Sequence, residues 1–108
     1  MPTSPSQLEI VDRAGASAAA RLSGDLDIVT SDDVKRELVE LIDGGHTSLA
    51  LDLSDVGFVD SSGLGVLVAV HRHAEAQGGG FVVRSAPPQV RRLFEITRLG
   101  DLLTVDGD

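Results

Sequence analysis

The chain has 108 residues, enough for one small domain and too few for two. Hydrophobic residues make up 42%, which supports a packed core and excludes disorder over most of the length. There is no cysteine, which excludes a disulfide framework or thiolate metal site and fits a reducing cytosol; a formal charge of -8 argues against a nucleic-acid binder but suits a protein partner with a basic face.

Residues 1–6, M-P-T-S-P-S, lack the basic and apolar regions of a signal peptide and read as a disordered tail, so the domain is expected over residues 7–106. Gln7 to Asp12 alternates apolar and polar, Asp12-Arg13-Ala14-Gly15 carries turn residues, and Ala16 to Leu22 is apolar and small. Together they predict a hairpin, with a second strand whose alanines are poor β-formers. Thr30-Ser31-Asp32-Asp33 predicts a helix start, with Thr30 and Asp33 at capping-box spacing. Val34, Leu38, Leu41 and Ile42 follow at i, i+4, i+7 and i+8, opposite Lys35, Arg36, Glu37 and Glu40, and Gly44-Gly45 stops the helix.

Ser48 to Leu53 predicts a strand, nearly continuous in apolar residues as expected for one covered on both faces, and Ser54 to Val59 a loop. The second helix is expected from Ser61 to about Gln77, with Leu64, Leu67, Val68 and His71 as its apolar stripe. His71 reads as a half-buried filler and His73 as a solvent residue. Gly78-Gly79-Gly80 ends this helix, and Phe81 to Arg84 is the next strand. Pro87-Pro88 opens a third helix with Val90, Leu93 and Phe94 inward, and Leu102 to Val105 closes the chain as a strand. The order β-β-α-β-α-β-α-β defines an α/β fold with a mixed, mostly parallel sheet of about five strands. The longest weakly polar run, Gly63 to Val70, falls far short of the ~20 residues that span a bilayer, so no membrane insertion is expected.

The chemistry concentrates at V-D-S-S-G-L-G, residues 59–65, where a strand and its loop hand over to a helix. Four readings compete. Asp60 or Ser61 caps the helix, worth ~1 kcal/mol, but a cap does not explain Gly63 and Gly65, since glycine inside a helix costs up to ~1 kcal/mol against alanine. Bare backbone there suits close packing or close approach by a partner. A nucleophilic serine needs a base and an orienting carboxylate; G-x-S-x-G is absent, and His46, His71 and His73 are all badly placed. A phosphate cradle lacks its motif, and Asp60 would repel the anion. The last reading makes Ser61 a phosphate acceptor: a phosphoserine adds about -1.5 to -2 charges beside Asp60 on an acidic surface, enough to expel a docked partner.

The same stretch, V-D-S-S-G-L-G-V-L at 59–67, resembles the phosphorylation loop of STAS-domain anti-sigma factor antagonists. G-D-L-D at 24–27 is similar to that family's G-E-[LI]-D turn, with Asp25 in place of the usual Glu. L-D-L-S-D-V-G-F-V-D at 51–60 and P-Q-V-R-R-L-F-E-I-T-R-L at 88–99 are similar to its third strand and its C-terminal helix. The resemblance covers roughly residues 8–105 and implies a STAS fold and a cytoplasmic, non-enzymatic regulator with no cofactor or metal. Such a protein binds an anti-sigma factor serine kinase and thereby frees a sigma factor. The kinase inactivates it by phosphorylation, and a PP2C-type phosphatase restores it. Carried over by position, Ser61 is the phosphoacceptor. Asp60, Ser62, Gly63, Gly65, Asp25 and Asp27 are its neighbours and partner-binding residues. The alternative that the resemblance leaves open is a STAS subunit of a membrane transporter complex that is not phospho-switched.

Overall fold

The computed structural model describes residues 7–98 and 104–106. The chain runs β1 (Leu8–Ala14), β2 (Ser17–Leu26), α1 (Ser31–Asp43), β3 (Ser48–Val59), α2 (Ser61–Ala76), β4 (Gly80–Arg84), α3 (Pro88–Thr97) and β5 (Thr104–Asp106). One sheet takes its strands in chain order, β1-β2-β3-β4-β5, with β5 only three residues long. β1 and β2 are antiparallel; β2-β3, β3-β4 and β4-β5 are parallel. This is the α/β order expected from the sequence. The expected N-terminal tail, and Leu102 and Leu103 of the expected last strand, lie outside the described residues.

The parallel crossovers of α1 and α2 step the same way across the sheet. Right-handed crossovers of that kind place their helices on one face. Burial along β3 agrees: Leu49, Leu51 and Leu53 are buried, whereas Ala50 and Asp52 between them are partly exposed. The expectation of a strand covered on both faces is therefore corrected. Ala50 and Ala19 look apolar in sequence, but their small methyls need little cover. On the open face Arg21 reaches Asp52 at 3.8 Å and Glu9 at 3.9 Å. Partial burial pushes the Asp52 carboxyl up, but hydrogen bonds from the Ser54 amide and hydroxyl, with Arg21 beside them, outweigh it and hold it below the usual carboxylate range.

The covered face carries the core. Leu22, Leu26, Leu51, Leu53 and Phe81 of the sheet pack with Leu38, Ile42, Leu67 and Phe94 of the helices, all almost fully buried. The stripe Val34, Leu38, Leu41 and Ile42 of α1 is buried as predicted. The alanine-rich β2 runs longer than expected, to Leu26, because it is paired on both sides, with β1 and with β3. Sheet context overrides the low strand preference of alanine.

The end of β3 departs most from the sequence reading. Residues 54–59, expected as a loop, continue the strand and pair with β2 as Ser23↔Asp55, Gly24↔Val56 and Leu26↔Val59. The register shifts between Arg21 and Ser23 and again between Gly24 and Leu26, and each shift gives β3 one more residue than β2. Such bulges bend and twist a strand. They also explain why the inward residues run Leu53, Val56, Val59 at a spacing of three rather than two. The period-two test fails on such a segment.

The capping box at α1 is also corrected. The Thr30 side chain makes no cap hydrogen bond, and its backbone is already helical at φ -103°, ψ -16°. Its hydroxyl turns back instead. It donates to the Asp25 carbonyl at 2.9 Å and accepts from the Asp27 amide at 3.1 Å.

Candidate functional site at the start of the second helix

Because β2 ends at Leu26 beside Val59 of β3, the β2–α1 loop and the β3–α2 junction leave the sheet side by side. The Asp60 amide donates to the Leu26 carbonyl at 3.2 Å. Asp60 is extended, φ -102° and ψ -172°, and caps α2: its Oδ1 accepts from the Gly63 amide at 3.0 Å. Its Oδ2 accepts from the Ile28 amide at 3.2 Å. One carboxylate thus ties the start of α2 to the neighbouring loop. Both its oxygens are occupied.

Asp27 organises that loop from within. Its Oδ1 accepts from the amides of Val29 at 3.0 Å and Thr30 at 3.2 Å. The turn leaves Ile28 and Val29 pointing outward, 75% and 81% exposed. Asp25 sits lower, beside Gly57, where a Cβ would lie 3.6 Å from the Asp25 Oδ1. Its backbone carbonyl is held by Thr30 and by Gln7 Nε2 at 2.9 Å.

Ser61, the first residue of α2, is exposed; Ser62 is half-buried. Ser62 and Gly65 line a groove of about 280 Å³ between the two helix starts, with Ile28, Ser31, Asp32, Lys35 and Val66. Gly63 is buried, and a Cβ there would overlap the Leu26 carbonyl oxygen and lie 2.8 Å from Leu26 Cγ and 2.9 Å from Val59 Cγ1. The predicted residues Asp27, Asp60, Ser61, Ser62, Gly63 and Gly65 are therefore brought together at one end of the sheet. Asp25 stands at the edge of the cluster.

No histidine serves Ser61. His46 Nδ1 lies 3.1 Å from the Gly15 carbonyl, His71 Nε2 3.2 Å from Glu75 Oε1, and His73 Nε2 2.7 Å from Asp43 Oδ1. Two expectations change here. His71 is not half-buried but 6% exposed, with Nδ1 enclosed and unpartnered, since it continues the apolar stripe one turn past Leu67. His73 is not a plain solvent residue, for it joins the last turns of α1 and α2 through Asp43. Among the described residues no group of three or more His, Cys, Asp or Glu could hold a metal, and no helix is long and apolar enough to cross a membrane.

Sequence reasoning missed three exposed apolar residues around the site: Ile28, Val29 and Phe58, the last 53% exposed two positions before Asp60. The signal was present in D-I-V-T, an apolar pair between a turn and a helix start that fits the period of neither. Lys35, opposite the apolar stripe of α1, also lines the groove.

Removal of the Asp60 carboxylate should be felt as stability. Asp60→Ala loses a cap worth ~1 kcal/mol and a second hydrogen bond worth ~1 kcal/mol. Urea denaturation should show a loss of about 1–2 kcal/mol; an unchanged midpoint would contradict the tie.

The family profile described as "Mlab, STAS domain" matches residues 10–104. The anti-sigma-B factor antagonist of Bacillus subtilis (strain 168) is 32% identical over 86 residues, covering 80% of this chain and 78% of that protein. Among solved structures, an anti-sigma factor antagonist from Mycobacterium paratuberculosis superposes with a TM-score of 0.78 at 24% identity, covering 96% of this chain and 89% of that one. The Bacillus cell fate determinant SpoIIAA in its phosphorylated form gives a TM-score of 0.71 at 22% identity, covering 92% and 90%. The fold and the sequence therefore define a STAS domain. Within that class the chain belongs to the family of anti-sigma factor antagonists.

Proposed function

We propose that this chain is a phospho-switched antagonist. Unphosphorylated, it binds an anti-sigma factor that is also a serine kinase and so releases a sigma factor. The kinase then transfers the γ-phosphoryl group of ATP to Ser61: a bond forms between Ser61 Oγ and phosphorus, the bond to the bridging oxygen of ADP breaks, and the hydroxyl proton leaves to the kinase. The modified protein dissociates, and a PP2C-type phosphatase hydrolyses the ester to restore it. The observation that carries this reading is an exposed Ser61 hydroxyl at a helix start with no base beside it and with Asp60 fully engaged. Such a serine is poorly equipped to attack a substrate and well placed to enter another enzyme's site. The phosphorylated form known for SpoIIAA, a protein of this fold, supports the same reading.

Incubation of the protein with its cognate kinase and Mg·ATP, followed by mass-spectrometric mapping, should place one phosphate on Ser61. A chain that stays unmodified, and that co-purifies with a permease rather than a kinase, would overturn the reading in favour of a transporter subunit.

A further inference from the structure

Among the described residues, the most exposed large apolar side chain away from the acceptor end is Ile96 of α3, 72% exposed. It stands on the solvent side of its helix, whose other side buries Val90 and Phe94. Arg92 lies one turn before it on the same face, and Glu95 stands beside it, both exposed. The charge here is unlike that of the whole chain. Residues 77–98 hold four arginines and one glutamate, in a chain of formal charge -8.

A counterpart lies on the opposite flank. α1 carries the chain from β2 to β3 and α3 from β4 to β5, so the two helices lie on opposite sides of α2. Between α1 and the edge strand β1 runs a second groove, of about 390 Å³. Leu8 and Leu41, both buried, and half-buried Ile10 make its floor apolar. Glu37 and Glu40 stand on the α1 side and Arg13 on the β1 side. Arg13 faces the groove because the bulge between Ile10 and Asp12 brings it opposite buried Ala18. His46 closes one end, its Nδ1 3.1 Å from the Gly15 carbonyl. The two surfaces also stand at the same level. Gln89, at the start of α3, donates to the Gly57 carbonyl at 3.4 Å, so α3 runs away from the acceptor end and Ile96 lies in its last turn. The groove takes the second half of α1, likewise away from that end.

We propose that the chain associates with itself side by side, the α3 face of one copy filling the α1–β1 groove of the next. Ile96 enters over Leu8, Ile10 and Leu41. Arg92 meets Glu40 and Glu37, and Glu95 meets Arg13, so each charge on the α3 face finds its opposite on the groove. The two surfaces differ, so the contact is heterologous: each added copy leaves one groove and one α3 face open for another. Because both surfaces lie away from the acceptor end, the array leaves every Ser61 uncovered and turned the same way. The contact is small, so association is weak and grows with concentration.

Sedimentation of the full chain at low salt and rising concentration should show a mass that climbs past the dimer. Ile96→Glu and Glu40→Arg should each raise the dissociation constant at least tenfold and keep the wild-type melting temperature, since both residues are exposed. Each variant spoils one surface and keeps the other, so an equimolar mixture of the two should form dimers and go no further. Arg92→Glu combined with Glu40→Arg should recover much of the association that either loses alone. A wild-type chain that stays monomeric at every concentration would overturn the inference, as would an Ile96→Glu chain that associates like wild type or a mixture that forms no dimer. Phosphorylation of Ser61 by the kinase should be unchanged in both single variants, so either idea can fail without the other.

Discussion

Ser61→Asp is expected to fold like wild type and to bind the anti-sigma factor kinase at least tenfold more weakly. Folding should survive because Ser61 is exposed and an acidic residue in the first turn of a helix is favoured by the helix dipole. Binding should not. The new carboxylate stands next to Asp60, and Asp60 cannot turn aside without giving up Gly63 or Ile28. In the free protein water screens the pair. A partner that covers this end removes that screening. Two unit charges ~4 Å apart interact by ~4 kcal/mol at an effective dielectric of ~20. A third of that is already a tenfold loss of affinity. A phosphoserine, at about -1.5 to -2 charges, would exceed it. Titration calorimetry of Ser61→Asp and Ser61→Ala against the kinase separates charge from contact. Alanine should bind like wild type, and equal affinity for aspartate and alanine would refute the charge mechanism.

Gly63→Ala should cost stability heavily, about 2–3 kcal/mol, with a melting temperature lower by roughly 10–15 °C. The added methyl would have to enter space already held by the Leu26 carbonyl, and a backbone group yields only if the strand end moves. The same movement would loosen the bond from the Asp60 amide to that carbonyl. Thermal melts of Gly63→Ala and Gly65→Ala side by side give the sharpest contrast, since the two changes are chemically identical. A Gly63→Ala protein that melts with wild type would show that the junction is softer than its geometry implies.

Much of this architecture was legible because its signals are local. The stripe of α1 is a clean helical period, and all four of its predicted residues are buried. The Asp60 cap follows from residue type and position, and the structure supplies it. What escaped notice depends on neighbours in space. The strand character of residues 54–59 is hidden by two bulges whose extra residues break the alternation. Whether a strand is covered on one face or both depends on which way the crossovers step, and β3 alone does not encode that. Thr30 fits the cap consensus, but the Asx-type turn of Asp27 captures its hydroxyl first. The two glycines look alike in sequence. The positions of Leu26 and Val59 tell them apart.

The order of strands in the sheet has a consequence for how the molecule is made. Every strand lies beside the one synthesised just before it, and none is inserted between two others. A chain emerging from the ribosome can therefore extend its sheet from one edge, each addition finding its template already in place, and each parallel addition closing over a single helix. The β2 and β3 ends and the α2 start that set Ser61 are all synthesised by Ala76, ahead of β4, α3 and β5.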